Sequence, residues 1–467
     1  MKTAADALRE IDAAVSAGLP LEDATFSGEE PVLPSRFALA TAGAAAIAAS
    51  GLAAAALWRE RTGQGQQVSV DLRHAAAALR SSSYLRIDGR PPGSPWAPIS
   101  GFYRTRDERW VQFHCNYPHH RDGVLELLRC ENDPEAVQAA ARRWDAQPLE
   151  DALAANGMCA GIVRARAEWE AHPQGIAVSR LPLMEVLRIG DSPPEPLPEA
   201  ARPLSGVRVL DLTRVLAGPT GARTLAEHGA DVLRITAAHL PAQPEVDADT
   251  GHGKLSARLD LRQPGDHERL LSLVREGDVF VQSYRPGALA GRGLSPDALA
   301  ALRPGIVYVT LAAYGHEGPW RDRRGFDSLV QSVSGFVSEH SLGGRVSGAA
   351  APRHLPAQAI DYVSGYLMAF GAMVGLLQRA REGGSYLVRV SLAQTGHWIW
   401  GLGSAEDEPA AASGLSEADV GALLGESLSP LGRLTFIRPV VGMSVTEPRW
   451  DRPSVPLDYH PPQWPPR

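Results

Sequence analysis

From residue 203 onward, short apolar runs alternate with longer amphipathic stretches. "VRVLDLT" (Val207–Thr213) reads as a buried strand, "GPTGARTLAEHGA" as a turn and helix, and "DVLRIT" (Asp231–Thr236) as a second strand, together a βαβ unit. The rhythm continues as "GDHERLLSLVREG" before "DVFVQSY", and as "SPDALAALRPG" before "IVYVTLAAYG". Strands alternating with helices predict an α/β fold on a parallel, doubly wound sheet. A ligand is then expected at the carboxyl ends of the strands, after Thr213, Thr236, Gln282 and Thr310, where the chain reads AGPTG, SYRPG and AAYGHEGP.

Other segments carry different patterns. The run from Phe37 to Trp58 is uncharged and long enough to cross a bilayer. It consists mostly of Ala, Gly, Ser and Thr rather than the residues that drive insertion, so it predicts a helix buried in a protein core and no membrane partner. "GFYRTRDERWVQFHCNYPHH" predicts a hairpin turning at Asp107–Glu108, with helical segments after it. The Pro-rich stretch from Arg188 to Gly206 predicts a linker at a domain boundary. Beyond residue 403, "SAEDEPAAASGLSEADVGALLGE" predicts a loop and short helix, and the Pro- and Trp-rich tail predicts extended chain wrapped on a surface.

A repeat emerges at a constant offset of about 320 residues. Gly51, Leu57, Arg59, Arg61, Gly63, Val68, Val70 and Leu72 match Gly371, Leu377, Arg379, Arg381, Gly383, Val388, Val390 and Leu392 without a gap, each copy reading as helix, glycine turn and strand. The alignment sets Thr41 opposite Asp361, a carboxylate at the mouth of the apolar run "PAQAIDYVSGYLMAFGAMVGLL". Asp361 is either a helix N-cap, for which Thr is an acceptable substitute, or a nucleophile.

Composition narrows the chemistry. With 46 basic and 53 acidic residues the net charge is −7, which disfavours nucleic acid as a partner. Cys115, Cys130 and Cys159 lack CxxC spacing and point to a reducing compartment, here expected to be the cytoplasm. His114, Cys115, His119 and His120 supply zinc-type ligands, but adjacent strand residues face opposite ways and no second ligand pair is evident, so no metal is expected. No P-loop, GxGxxG after the Val207 strand, or GxSxG elbow is present. Ala217, Gly218, Thr220 and Gly221 permit a ligand to approach a helix N-terminus, or simply make a tight turn. Arg234, Lys254, Arg285 and Arg292 are candidate cationic contacts for a nucleotide-like ligand.

Four stretches together resemble the family III CoA-transferases, also called CaiB/BaiF: "PLSGVRVLDLTRVLAGPTGARTLAEHGADVLRI", "KLSARLDLRQPGD", "VFVQSYRPGALAGRGLSPDALAALRPGIVYVTLAAYGHEGPWRDRRGFDSLVQSVSG" and the Asp361 helix. The match is strong over Pro203–Leu402 and weaker over Ser35–Pro198. It implies a Rossmann-like CoA-binding domain plus a smaller α+β domain. Residues 1–100 would be a degenerate repeat of the post-aspartate region, 101–187 the small domain, 188–202 the linker, 203–402 the CoA-binding domain with the catalytic Asp, and 403–467 a Pro-rich extension. This order is permuted, because the small domain usually follows the nucleotide-binding half.

The resemblance further implies that Asp361 attacks an acyl-CoA thioester, giving an acyl-aspartyl anhydride and then an aspartyl-CoA thioester that passes CoA to a carboxylic acid. Amides near Gly365 and the helix end would stabilise the developing charge. It places CoA contacts at Leu216, Ala217, Arg234, Lys254, Ser283, Arg285 and Arg292, with Asp327 and Gln331 shaping the cleft. Coenzyme A is a substrate, with no permanently bound cofactor, and a homodimer is implied. Related 2-methylacyl-CoA racemases pair the aspartate with a histidine; Phe326 stands there, which favours transfer over racemisation. Departures at Thr236, Ser283 and "REGGSYL" leave an inactive CoA-binding subunit as the alternative.

Overall fold

The alternating apolar runs build a seven-stranded sheet in the computed structural model, which describes residues 1–94, 96–343, 350–405 and 414–466. Its strands are β1 (Met184–Gly190), β2 (Arg208–Leu212), β3 (Asp231–Thr236), β4 (Lys254–Arg258), β5 (Val279–Gln282), β6 (Val307–Ala312) and β7 (Ser385–Ser391). They lie in the order β4-β3-β2-β5-β6-β7-β1. All neighbours are parallel except β7 and β1. The sheet is thus mixed and mostly parallel. From β2 the chain winds outward to β4, then crosses back to β5 and winds the other way, which opens a crevice between β2 and β5.

Strand β1 corrects the expected linker. Its last residues, Arg188–Gly190, pair with β7 rather than forming free chain, and the Pro-rich segment begins only afterwards. Charge on an edge strand hid it, since Arg188 is exposed and Glu185 half-buried.

The repeat is visible in space. Helices Leu39–Thr62 and Ala359–Glu382 begin and end at the same 320-residue offset and pack against each other, with Ser50 Oγ donating to the Tyr366 carbonyl at 2.9 Å. Each leads into a strand and then a helix, Val68–Asp71 and Leu72–Ala78 in one copy, β7 and Leu392–Gly401 in the other. Both long helices are apolar enough to cross a membrane, and 94% and 100% of their apolar windows are buried inside the protein. Small residues suit that position because they bring neighbouring backbones close. A Cβ on Gly365 would stand 2.5 Å from the Ala217 carbonyl oxygen, and one on Gly221 would stand 2.8 Å from the Gly365 carbonyl oxygen. Gly221 therefore serves a seam between helices rather than the approach of a ligand, and Gly218 is pressed against Thr213 in the same way.

Strands Gly101–Arg104, Trp110–Phe113 and Ala160–Ile162 form a separate antiparallel sheet. Helices Pro118–Leu128, Pro134–Ala141 and Ala146–Ala155 join it around a core that includes Val111, Phe113, Val124, Leu149 and Leu153. This small unit docks on helix Asp327–Val333: Gln112 bonds Ser328 at 3.0 Å and Ser332 at 2.6 Å, and the Ser332 carbonyl accepts the Arg164 amide. The loop expected after residue 403 falls largely at 406–413, outside the described residues, and the short helix forms at Glu417–Gly421. A hairpin, Leu424–Ser429 with Gly432–Ile437, precedes the extended tail. The tail is pinned by Trp450 and Trp464, whose indole N–H groups bond the Arg223 and Leu273 carbonyls.

Replacing Gly365 by Ala is expected to lower stability by on the order of 1–3 kcal/mol, because the added methyl meets a backbone oxygen that cannot rotate away. An unchanged or higher urea midpoint would show that the seam has room to spare.

Candidate active site

A cleft of about 420 Å³ opens at the β2/β5 crevice. Its walls are the loops that follow four strands: Arg214–Ala217 after β2, His239–Pro241 after β3, Ser283–Pro286 after β5, and Leu311–Ala313 at the end of β6. The small unit supplies the facing wall through Tyr117, His119, His120 and Cys159. Arg323 to Phe326 line it as well, and Asp361 is the one carboxylate on its surface among the described residues.

Asp361 does not cap its helix. The N-cap is Gln358, which makes no side-chain cap, and Asp361 stands three residues in, 7% exposed. The cap comes from another helix: Asp327 Oδ2 accepts the Asp361 amide at 2.9 Å and the carboxylate also takes the Ile360 amide. Gln331, one turn along from Asp327, donates to its other oxygen and accepts the Leu355 amide at 2.8 Å. With its helix end satisfied from outside, the Asp361 carboxylate is left without a protein hydrogen bond among the described residues. The first copy repeats the device, since Glu30 Oε1 accepts the Thr41 amide at 2.8 Å. Ala38 and Gln358 even share backbone angles, φ/ψ −76°/62° and −79°/56°. The two copies therefore keep one helix-start geometry, and only one of them carries a carboxylate at the third position.

Asp327 and Asp361 are both buried and side by side. Burial drives the Asp327 carboxyl up to about 7, against its bonds from the two amides and Gln331. Burial, and then the Asp327 charge, raise Asp361 well above the ordinary carboxylate range. Asp361 is therefore harder to ionise than an ordinary carboxyl. The pair titrates as a unit. Asp327, with the larger set of donors, is the partner that holds the first charge.

The cations divide. Arg285 lies on the cleft rim, exposed and without a bonded partner among the described residues. Leu216, Ala217 and Ser283 line the cleft too, with Ser283 Oγ accepting the Arg214 amide at 3.3 Å. Arg234, Lys254 and Arg292 do not line it. Lys254 is buried under the AGPTG turn, bonded at 2.8 Å to both Asp211 and the Pro219 carbonyl, so it braces the turn from below. Arg234 is buried against Asp247 at 3.3 Å, and Arg292 is exposed and bonds the Leu261 carbonyl. Gly365 lies inside the helix seam rather than on the cleft, so its amide does not face a ligand.

Sequence reading passed over Arg214, Arg323 and Arg324. The signal available was position: Arg214 directly follows β2, and "RDRRG" directly precedes Phe326 and Asp327. Val215, between Arg214 and the helix, has φ +71°, a strained value for a β-branched residue and a mark of a constrained turn at a site. Phe326 stacks on His114, ring centres 3.8 Å apart. His120 lies against Cys159, at 3.6 Å, and Arg324, at 3.4 Å. Among the described residues no three His, Cys, Asp or Glu side chains converge as a metal site.

The site is thus a cleft at the reversal point of a mostly parallel α/β sheet, with four arginines and one carboxylate among its described lining residues. The chain belongs to the CoA-transferase family III, whose model matches residues 7–187 and 204–413. It is 30% identical over 371 residues to an acyl-CoA transferase of Gibberella moniliformis, covering 70% of this chain and 64% of that protein. It is 29% identical to an acetyl-coenzyme A transferase of Hypoxylon pulicicidum, covering 71% and 63%. The chain thus spans just under two thirds of the length of these two relatives. A crystal structure of Rv3272 from Mycobacterium tuberculosis is 32% identical over 43% of this chain and 56% of that one, with a TM-score of 0.39.

The raised carboxyl pair makes a signed prediction. Both groups bind protons more tightly folded than unfolded, so their penalty is absent at pH 4 and below and grows as pH rises through about 7. Asp361→Asn should therefore raise stability by on the order of 1–3 kcal/mol at pH 8 and by little at pH 4. An equal effect at both pH values in urea titrations would refute the buried charge pair.

Proposed function

We propose that this chain is an acyl-CoA:carboxylate CoA-transferase that uses Asp361 as a covalent nucleophile. The observation that carries the reading is the unbonded Asp361 carboxylate, the one carboxylate among the described residues of a cleft that also presents Arg214, Arg285, Arg323 and Arg324. The CoA phosphates would take guanidinium groups, with Arg285 at the rim and Arg214 and Arg324 along the walls, while Arg323 is held by Glu150 and the Ala160 carbonyl. The thioester would then reach inward, to the carboxylate at the crevice.

An Asp361 oxygen bonds the acyl carbonyl carbon, the C–S bond breaks, and CoA leaves as thiolate with an acyl-aspartyl anhydride behind. The thiolate attacks the Asp361 carbonyl of that anhydride, releasing the acyl group as its carboxylate. The carboxylate of a second acid then attacks the Asp361 carbonyl of the aspartyl-CoA thioester, and the C–S bond breaks to release CoA thiolate and leave a mixed anhydride. That thiolate attacks the incoming acyl carbon, breaking its bond to the Asp361 oxygen and regenerating the carboxylate. Each step exchanges one acyl derivative for another and needs no outside oxidant or metal. Asp327 holds the Asp361 backbone without touching the reacting oxygens, which frees the nucleophile for chemistry.

Transfer of CoA from acetyl-CoA and succinyl-CoA to a panel of free carboxylic acids tests the reading. The wild-type chain should show ping-pong kinetics, with kcat/KM rising with pH as Asp361 loses its proton after Asp327 has lost its own, and Asp361→Ala should lose at least about a thousandfold. Undiminished transfer by Asp361→Ala would remove the nucleophile from the account.

A further inference from the structure

We propose that the Tyr117 hydroxyl donates the hydrogen bond that holds the acyl carbonyl oxygen against Asp361. The inference rests on the transferase reading and adds the group that reading lacks. When Asp361 attacks, the carbonyl π electrons move to oxygen, and that oxyanion needs a donor until the C–S bond breaks and the carbonyl reforms. Two donors beside Asp361 are spent, because Asp327 takes the Asp361 and Ile360 amides, and Gly365 is sealed in the helix seam. A side chain on the facing wall can supply the donor.

Tyr117 fits that place. It lines the cleft, and its hydroxyl has no partner among the described residues. Its ring sits 6.0 Å from that of Phe326, the residue that leads into Asp327, and the Arg214 guanidinium lies 5.6 Å from its ring centre. Burial keeps the phenol protonated, pushed up to about 12, and the Asp361 charge is among the groups it feels. Local sequence supports a role beyond packing. Tyr117 occupies the N-cap of helix Pro118–Leu128, where Ser, Thr, Asp or Asn would bond the helix amides, and it makes no cap bond. A residue that forgoes the local preference while facing a cleft is the pattern of a functional position.

Tyr117→Phe removes the hydroxyl and keeps the ring. It should lower kcat/KM for CoA transfer by at least about tenfold while leaving the thermal midpoint unchanged. Calorimetric binding in an Asp361→Asn background, which cannot turn over, supplies a second readout. There, Tyr117→Phe should weaken acetyl-CoA about three- to tenfold and leave free CoA unaffected. Wild-type turnover by Tyr117→Phe, or an unchanged ratio of acetyl-CoA to CoA affinity, overturns the proposal. If the wild-type chain transfers no CoA, the transferase reading fails alone and the affinity ratio still decides Tyr117. If neither ligand binds the Asp361→Asn protein, both fall.

Discussion

A carboxylate that holds a helix end without belonging to that helix sets the layout of the site. Asp327 reaches across to the Asp361 amide at 2.9 Å, and three consequences follow from that contact. The helix needs no cap of its own, so the residue at its third position is released from structural duty. Two carboxyls are brought together in a buried place, which lifts both away from easy ionisation. The Asp361 and Ile360 amides are consumed, so neither is free to meet a ligand.

The opposite wall belongs to the small unit, and its position depends on the same helix. Gln112 grips Ser328 and Ser332 on helix Asp327–Val333, so the element that caps Asp361 also carries the wall bearing Tyr117, His120 and Cys159. The first-copy helix packs on the Asp361 helix from another side and repeats its start geometry with Glu30 and Thr41. Thr41 keeps the helix start and lacks the carboxylate. The first copy thus contributes packing, and the second contributes both packing and the candidate nucleophile.

Much of this was legible from residue pattern. Strands β2, β3, β5 and β6 stand out because parallel strands buried on both faces read as continuous apolar runs. The β1 strand does not, since it lies at the edge and carries charge. The 320-residue repeat predicted matching helices because helix, glycine turn and strand recur in register. The cleft wall at the strand ends followed from connectivity, but which cations face it did not. Lys254 and Arg285 look alike in sequence, and only three-dimensional placement separates a brace beneath a turn from a rim group. That Asp361 does not cap its own helix was equally hidden, because the cap comes from Asp327, 34 residues away.

Trapping the acylated side chain tests the central claim most directly. The chain would be incubated with acyl-CoA thioesters and hydroxylamine, digested, and mapped by mass spectrometry beside an Asp361→Ala control. The account predicts a hydroxamate on Asp361 that is absent from the control. Turnover of the same thioesters with every carboxylate unmodified, or with the adduct on another residue, would contradict it.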